Sequence, residues 1–308
     1  MDVAQLKTLI HVAEVGSLSK AADRLNIAQP ALSRQIRLLE RELGTFLFNR
    51  HGRGMVITDA GREVLEHATR VMIELEAIRD ITSGGKASYQ GMVVMGMTPT
   101  VAEIMTVPLV SEIKKAHPKL AIRILSAFSG HLMDWLQRGE VELAVSYNPE
   151  SLRSLRIRPI MMENLMYVSA DAEHPLSLDV PVQFARLAEA EMVLPSPRHG
   201  LRVIVEECAD QAGVALKTSV EADSFGAMIN LVRNGFGSTI LPLAPIYSLV
   251  KSGRLSAAPL VDPTPTRKLV VAYPADRPVS PAARFVAETF TEIASDFVAR
   301  NVWSGHIL

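Results

Sequence analysis

Cysteine is almost missing from this chain. Cys208 is the only one among 308 residues, so no disulfide can close within the chain and a reducing compartment is the natural setting. Within "VIVEECADQAG" it falls in a helical pattern, which predicts a buried, inert thiol. Long apolar runs are missing too: none reaches the roughly 18 residues that a membrane span needs. The first residues, "MDVAQLKTLIHVAEVG", lack the basic stretch and small-residue cleavage site of a signal peptide. A cytoplasmic protein without a membrane partner is therefore expected. The eight histidines form no HExxH or other closely paired metal spacing and there is no CxxC, so neither metal nor cofactor is expected. There is no P-loop and no complete GxGxxG. Ser129, in "FSGH", is outside any GxSxG elbow, which speaks against a hydrolase and leaves no enzyme reading with support. The net charge of −1 excludes little, because a nearly neutral chain can still carry a local basic patch. Low-complexity tracts and fixed-period repeats are also lacking.

What is present begins with helices. Leu6, Leu9, Ile10 and Ala13 recur at helical spacing until Gly16 stops the pattern. "SLSKAADRLNI" predicts a second helix with Ser19 as N-cap and a small Ala21-Ala22 pair that permits close approach. Asn26 to Ala28 form a tight connection into "NIAQPALSRQIRLLERELG". There Leu32, Ile36 and Leu39 repeat at i, i+4 and i+7, the pattern of a helix lying on a core. Pro30 suits the first turn, where its missing N–H costs nothing. The other stripe carries Gln29, Ser33, Arg34 and Arg37, a hydrogen-bonding and cationic face that wants an anionic partner. Two helices joined so closely make a helix-turn-helix.

After Gly44, "FLFNRHGRGMVITDAGR" sets Gly52 and Gly54 between two β-prone pieces, which predicts a small hairpin with Arg50 and Arg53 toward its tip. From Ala28 to Arg53 five arginines stand against Glu40 and Glu42, a local excess of +3 that suits counterion release from phosphates. A recognition helix fits the major groove, where Arg bridges guanine O6 and N7 and Gln reads adenine. A hairpin arginine can enter the minor groove. Between Asp59 and about Thr82 the residues Val64, Ala68, Val71, Leu75 and Ile78 repeat at threes and fours, predicting a long helix whose apolar stripe needs a second copy to cover it.

"SGGKASYQG", residues 83–91, is flexible by composition and marks a hinge. Beyond it, β-prone runs such as "MVVMGM", "AIRILSA" and "VELAVSY" alternate with helical patterns near 101–117 and 131–139, an α/β signature. Thr98 and Thr100, then Ser126 and Ser129, then Tyr147 follow three successive strand ends, where an open α/β sheet binds ligands. Taken singly, each hydroxyl could equally cap a helix. His199, in "RHGLRV", falls at a strand-to-helix junction and reads first as a polar loop residue, with a ligand-facing role left open. "GFG" at 235–237 reads as a helix end turning into the strand "STILPL".

Residues 2–65, through "AADRL", "QPALSRQI" and "LFNRHGRGMVITDAG", resemble the N-terminal domain of LysR-type transcriptional regulators. "LQRGEVELAVS" and "LVRNGFGSTILPL" resemble the rest of that family more loosely. The resemblance implies an α/β protein overall: a winged helix-turn-helix over 1–58, a dimerising linker helix over 59–82, a hinge over 83–91 and a two-lobed, solute-binding-protein-like effector domain over 92–308. Its lobes would span about 92–162 with 268–300, and 163–267. It implies double-stranded DNA, a second copy in a homodimer or tetramer, a small-molecule effector and RNA polymerase as partners. Pro195, Ser196, Arg198 and Asp223 would join the cleft from the second lobe. With Arg198 turned inward, that cleft would favour an anionic metabolite. At Ala28, where the family often has Ser or Thr, no hydroxyl is present, which forgoes a cap worth about 1 kcal/mol. The alternative is a solute-binding or protein-interaction module that does not bind an operator.

Overall fold

The computed structural model describes residues 1–51, 54–82, 89–149 and 154–308, with backbone alone at 50, 51, 66, 70, 73, 74 and 76–82. The chain divides into two units, residues 1–87 with 276–281, and 88–275 with 282–308. Much of the expected hinge lies outside the described residues, as do Arg53 and the Arg50 side chain.

In the first unit α1 (Val3–Val15), α2 (Leu18–Leu25) and α3 (Gln29–Leu43) precede a hairpin of β1 (Phe48–His51) and β2 (Gly54–Ile57), and α4 (Asp59–Thr82) follows. Asp2 and Gln5 form a capping box on α1, each satisfying a backbone N–H that the first turn leaves open. Gly16 ends that helix in the left-handed region at φ 61°, which a residue without Cβ adopts freely. Ser17 then caps α2, two residues before the Ser19 expected from the sequence. The left-handed turn leaves Ser17 extended, whereas Ser19 is already helical. Pro30 occupies the first turn of α3, and the Ala28 N-cap makes no side-chain bond.

Leu32, Ile36 and Leu39 are buried with Leu6, Leu9, Val12 and the small pair Ala21 and Ala22. Each fully buried Leu or Ile contributes about 1.5–3 kcal/mol relative to exposure. Ala68 is 2% exposed in this same core, and Val64 packs against it. Ala68 is thereby covered within the chain and Val64 partly covered, which narrows the apolar stripe left for a dimer seam. The reason is that the N-terminal half of α4 packs on α1. Gly61 allows that corner to close: a Cβ there would stand 2.2 Å from the Leu47 carbonyl oxygen.

The second unit is built on a mixed sheet in the order β4-β3-β5-β12-β6-β11-β7, with β10 and β13 also pairing on β6. Its first half runs β3 (Gly91–Met97), α5 (Pro99–Ala116), β4 (Leu120–Ser126), α6 (Ser129–Arg138) and β5 (Leu143–Tyr147). β3 is parallel to both β4 and β5, so the strand ends that follow Met97, Ser126 and Tyr147 share one edge. β6 (Leu155–Ser169) then serves both halves. The second half comprises β7 (Val182–Gln183), β8 (Glu191–Leu194), α7 (Gly200–Ala212), β9 (Lys217–Glu221), α8 (Phe225–Arg233), β10 (Thr239–Pro242), α9 (Tyr247–Lys251) and β11 (Ser256–Val261). The chain returns through β12 (Thr266–Pro274), α10 (Pro281–Ala299) and β13 (Gly305–Ile307).

Leu155 to Asn164 of β6 pair with β12, whereas Leu165 to Val168 pair with β10. That exchange of partners divides the unit, and separate cores form around α6 and β5 and around α7 and α8. Gly235 and Gly237 carry φ of 78° and 136° where α8 turns toward β10. Among the described residues no helix is long and apolar enough to cross a membrane.

Candidate DNA-reading face and effector cleft

Burying Leu32, Ile36 and Leu39 fixes what the rest of α3 presents to solvent. Gln29, Pro30, Arg34 and Arg37 are exposed and Ser33 is half-buried. Arg37 Nε donates to the Ser33 carbonyl at 3.3 Å, and no carboxylate neutralises Arg34 or Arg37 among the described ion pairs. Glu40, counted from sequence as an opposing surface charge, turns inward and is 8% exposed. Its carboxylate accepts from backbone N–H groups, so its charge is not displayed beside the arginines.

In the second unit the hydroxyl candidates gather unevenly. Thr98 is 6% exposed and its Oγ1 has no hydrogen-bond partner. It occupies the N-cap position of α5 without capping it, so helix capping does not account for this residue. Tyr147 is 7% exposed, and its hydroxyl makes no hydrogen bond of normal geometry. Burial pushes its phenol well above the usual range, with Arg267 opposing and Glu163 adding to the rise. Ser129 is half-buried and Ser126 exposed.

The cation that anchors this region is Arg267, at the start of β12. It is 5% exposed, lies over the Tyr147 ring with 3.5 Å from Cζ to the centroid, donates to Thr100 Oγ1 at 3.2 Å and pairs with Glu163 at 2.5 Å. Burial works against its charge, but Glu163 and Tyr147 more than offset that, so its pKa rises. Arg198, the cation expected from sequence, lies in the loop before α7 and is exposed to solvent.

From the second half, Ser196 N donates to Asp223 at 2.9 Å. That bond, with the Ser196 side chain, holds the Asp223 carboxyl below its usual range. His199 caps α7, its Nδ1 accepting from Leu201 N at 3.1 Å, and its ring meets Phe128 edge-on at 4.7 Å. Phe128 precedes α6, so this contact joins the two halves. Burial lowers the His199 pKa, Asp223 opposes and Arg267 reinforces the fall. The folded state therefore holds the proton less tightly than free imidazole, which titrates near 6.5. The stability contributed by the neutral ring is complete above pH 6.5 and is lost as the pH falls through 6.5 toward the lower folded value. An NMR titration should place the His199 midpoint below 6.5; a midpoint at or above it would contradict this electrostatic balance.

Beside these residues lies a cavity of about 610 Å³ lined by Pro99, Glu103, Phe128, Asp223, Phe225 and Asn230, among others. Of the sequence-predicted effector residues Asp223 lines it. Thr98 and Ser129 are chain neighbours of the lining residues Pro99 and Phe128, and Thr100 and Tyr147 belong to the Arg267 cluster. Sequence reasoning passed over Arg267, Glu163 and Glu103. No local signal marked Arg267, whose carboxylate partner is 104 positions away.

Comparison with known proteins agrees with both units. Residues 3–62 match the bacterial regulatory helix-turn-helix, lysR family, and residues 86–295 match the LysR substrate binding domain. The chain is 30% identical over 262 residues to the HTH-type transcriptional regulator BbuR of Bordetella bronchiseptica, covering 85% of this chain and 80% of that protein. It is 27% identical over 305 residues to the nitrogen assimilation regulatory protein nac of Escherichia coli, covering 98% and 99%. The Corynebacterium glutamicum OxyR C206 mutant superposes with a TM-score of 0.76 at 25% identity, over 97% of this chain and 94% of that one. Full-length BenM does so with 0.59 at 26% identity, over 98% of each. With a lysR-type helix-turn-helix in its first unit and a LysR substrate-binding domain in its second, the chain belongs to the LysR family of DNA-binding transcriptional regulators.

Proposed function

We propose that this regulator reads operator DNA through Gln29, Pro30, Ser33, Arg34 and Arg37 of α3, with Arg50 and Arg53 of the hairpin on the flanking minor groove. The observation that carries this reading is the division of α3 into a buried apolar stripe and an exposed Gln/Arg stripe. It acts as a homodimer, or as a tetramer built from dimers, with RNA polymerase as a downstream partner in the cytoplasm. The domain limits expected from sequence are kept as part of this reading, with the lobes exchanging along β6.

The dimer seam is narrower than the sequence stripe, running through Val71, Leu75 and Ile78. Val71 is 43% exposed and Leu75 half-buried, whereas the Ile78 side chain lies outside those described. Replacing Val71 and Leu75 together by Glu should dissociate the dimer in sedimentation and remove operator binding, since two half-sites need two linked heads. A folded double variant that stays dimeric would place the seam elsewhere.

The effector occupies the cavity beside Phe128 and Asp223, whose lining residue Pro99 follows the buried Thr98 in the chain. The charged groups in the described lining are Glu103 and Asp223, and Glu163 already compensates Arg267. An uncharged or donor-bearing metabolite therefore suits the cleft better than the anion expected from sequence. Screening the full-length protein by thermal shift should find such stabilisers, weakened by Asp223→Asn. If carboxylates alone stabilise it, this assignment of charge is wrong.

Peroxide sensing, suggested by relatives named hydrogen peroxide-inducible genes activator, finds no support in the thiol. Cys208 is 6% exposed, and burial together with Glu207 pushes its pKa up, which suppresses the reactive thiolate.

A further inference from the structure

We infer that Glu40 is a positioning residue for DNA recognition: it holds the hairpin in a set direction relative to α3, so the two elements meet the duplex as one rigid reader. The inference rests on α3 and the hairpin both facing DNA. Glu40 lies on the buried side of α3 near its C-terminus, and one carboxylate oxygen, Oε1, accepts from Leu47 N at 3.0 Å and Phe48 N at 3.3 Å. Phe48 is the first residue of β1, so these bonds fix the corner at which the hairpin leaves α3.

The same corner is tied from α4. Thr58 N donates to the Leu47 carbonyl at 2.9 Å, and Thr58 Oγ1 donates to the Phe46 carbonyl at 2.8 Å. The returning strand is tied to the end of α1, where Met55 N donates to Gly16 O at 2.9 Å. Gly54 passes that oxygen so closely that a Cβ would stand 2.6 Å from it. Within this set Glu40 is the link to the helix that carries Gln29, Arg34 and Arg37. At 8% exposure little solvent reaches this two-bond carboxylate acceptor, so truncating it leaves the Leu47 and Phe48 N–H groups without their acceptor and loosens the corner.

The test uses the full-length protein and an operator duplex selected from genomic DNA, probed by hydroxyl radicals in the minor groove and by dimethyl sulfate at guanine N7 in the major groove. Glu40→Ala should lower affinity about tenfold and lose minor-groove protection on the flanks, with N7 protection retained. Glu40→Gln, which keeps the Oε1 acceptor, should behave like wild type. Thr58→Val, which removes the Oγ1 bond to the Phe46 carbonyl and the Oγ1 acceptor of Gly61 N but keeps the Thr58 N to Leu47 bond, should weaken the same flanks. Unchanged flank protection in Glu40→Ala, or parallel loss in both grooves, would overturn the inference. So would a Glu40→Gln as impaired as Glu40→Ala. Should Glu40→Ala fail to fold, flank protection in the other two variants decides: intact in Glu40→Gln and weakened in Thr58→Val supports the inference, and any other pairing overturns it. A wild-type protein that selects no operator would instead remove the underlying DNA-reading assignment.

Discussion

Arg267→Met is expected to lower the unfolding free energy of the second unit by about 3–5 kcal/mol, the cost of leaving a buried carboxylate without its cation. Glu163 is 1% exposed, and its carboxylate accepts from Arg267 Nε and Trp303 Nε1. Without the guanidinium its charge has neither water nor a counterion. Glu163→Leu should do comparable damage by stranding Arg267. The double replacement, Arg267→Met with Glu163→Leu, should recover much of the loss, because it removes both charges together. Denaturant titration followed by tryptophan fluorescence checks this directly, since Trp303 touches the site. A single-variant loss below about 1 kcal/mol would show the pair to be better hydrated than its burial implies. Structural damage should also reach regulation. Glu163 lies next to the point where β6 changes partners, and β13 pairs with β6 over Met161 to Glu163, so one ion pair joins the strand crossover, the C-terminal segment and the start of α5.

Arg34→Ala and Gln29→Ala should each weaken operator binding by about 1–3 kcal/mol where a bidentate base contact is lost. Both side chains are exposed and hold no described ion pair, so truncation leaves the Leu32, Ile36 and Leu39 packing untouched. Thermal unfolding and sedimentation should therefore match wild type while specificity relaxes at the contacted base pairs. A phosphate-contacting residue behaves differently: its loss weakens all sequences alike and reduces the salt slope by about one. Measuring both variants across a salt series separates these roles. Undiminished binding by both at fixed salt would remove α3 as the reading helix.

The helices of the first unit were legible because their signals are local. A repeat of Leu32, Ile36 and Leu39 near 3.6 residues has one interpretation, and it places Arg34 and Arg37 outside whatever the core turns out to be. Gly16, Pro30 and Gly44 punctuate the same elements through backbone preferences that need no partner. Local reading failed where one residue had two equivalent neighbours in pattern. Ser17 and Ser19 both suit an N-cap, and the left-handed turn at Gly16 chose between them. Val64 and Ala68 match the apolar repeat of Val71 and Leu75, yet α1 covers the first pair and leaves Val71 exposed. A periodic stripe shows that something must cover it, never which surface does.

The cleft shows the same limit more sharply. Thr98, Thr100 and Tyr147 could be placed near one another because each lies at or just past a strand end, and parallel β3 and β5 bring those ends to one edge. Arg267 could not be found this way. It opens a strand in "TPTRKLV" with nothing local to mark it as buried, and only antiparallel pairing of β12 with β6 brings it to Glu163. Glu40 is the counterpart in the first unit, a surface charge by composition and a buried acceptor by packing. Sequence by itself determined the element types, the exposed Gln/Arg stripe of α3 and the family, since periodicity, caps and motif spacing are properties of contiguous residues. Tertiary structure alone decided which charges are compensated and which apolar residues are covered, because a charge or a methyl group is priced by its surroundings, and those come from segments far apart along the chain.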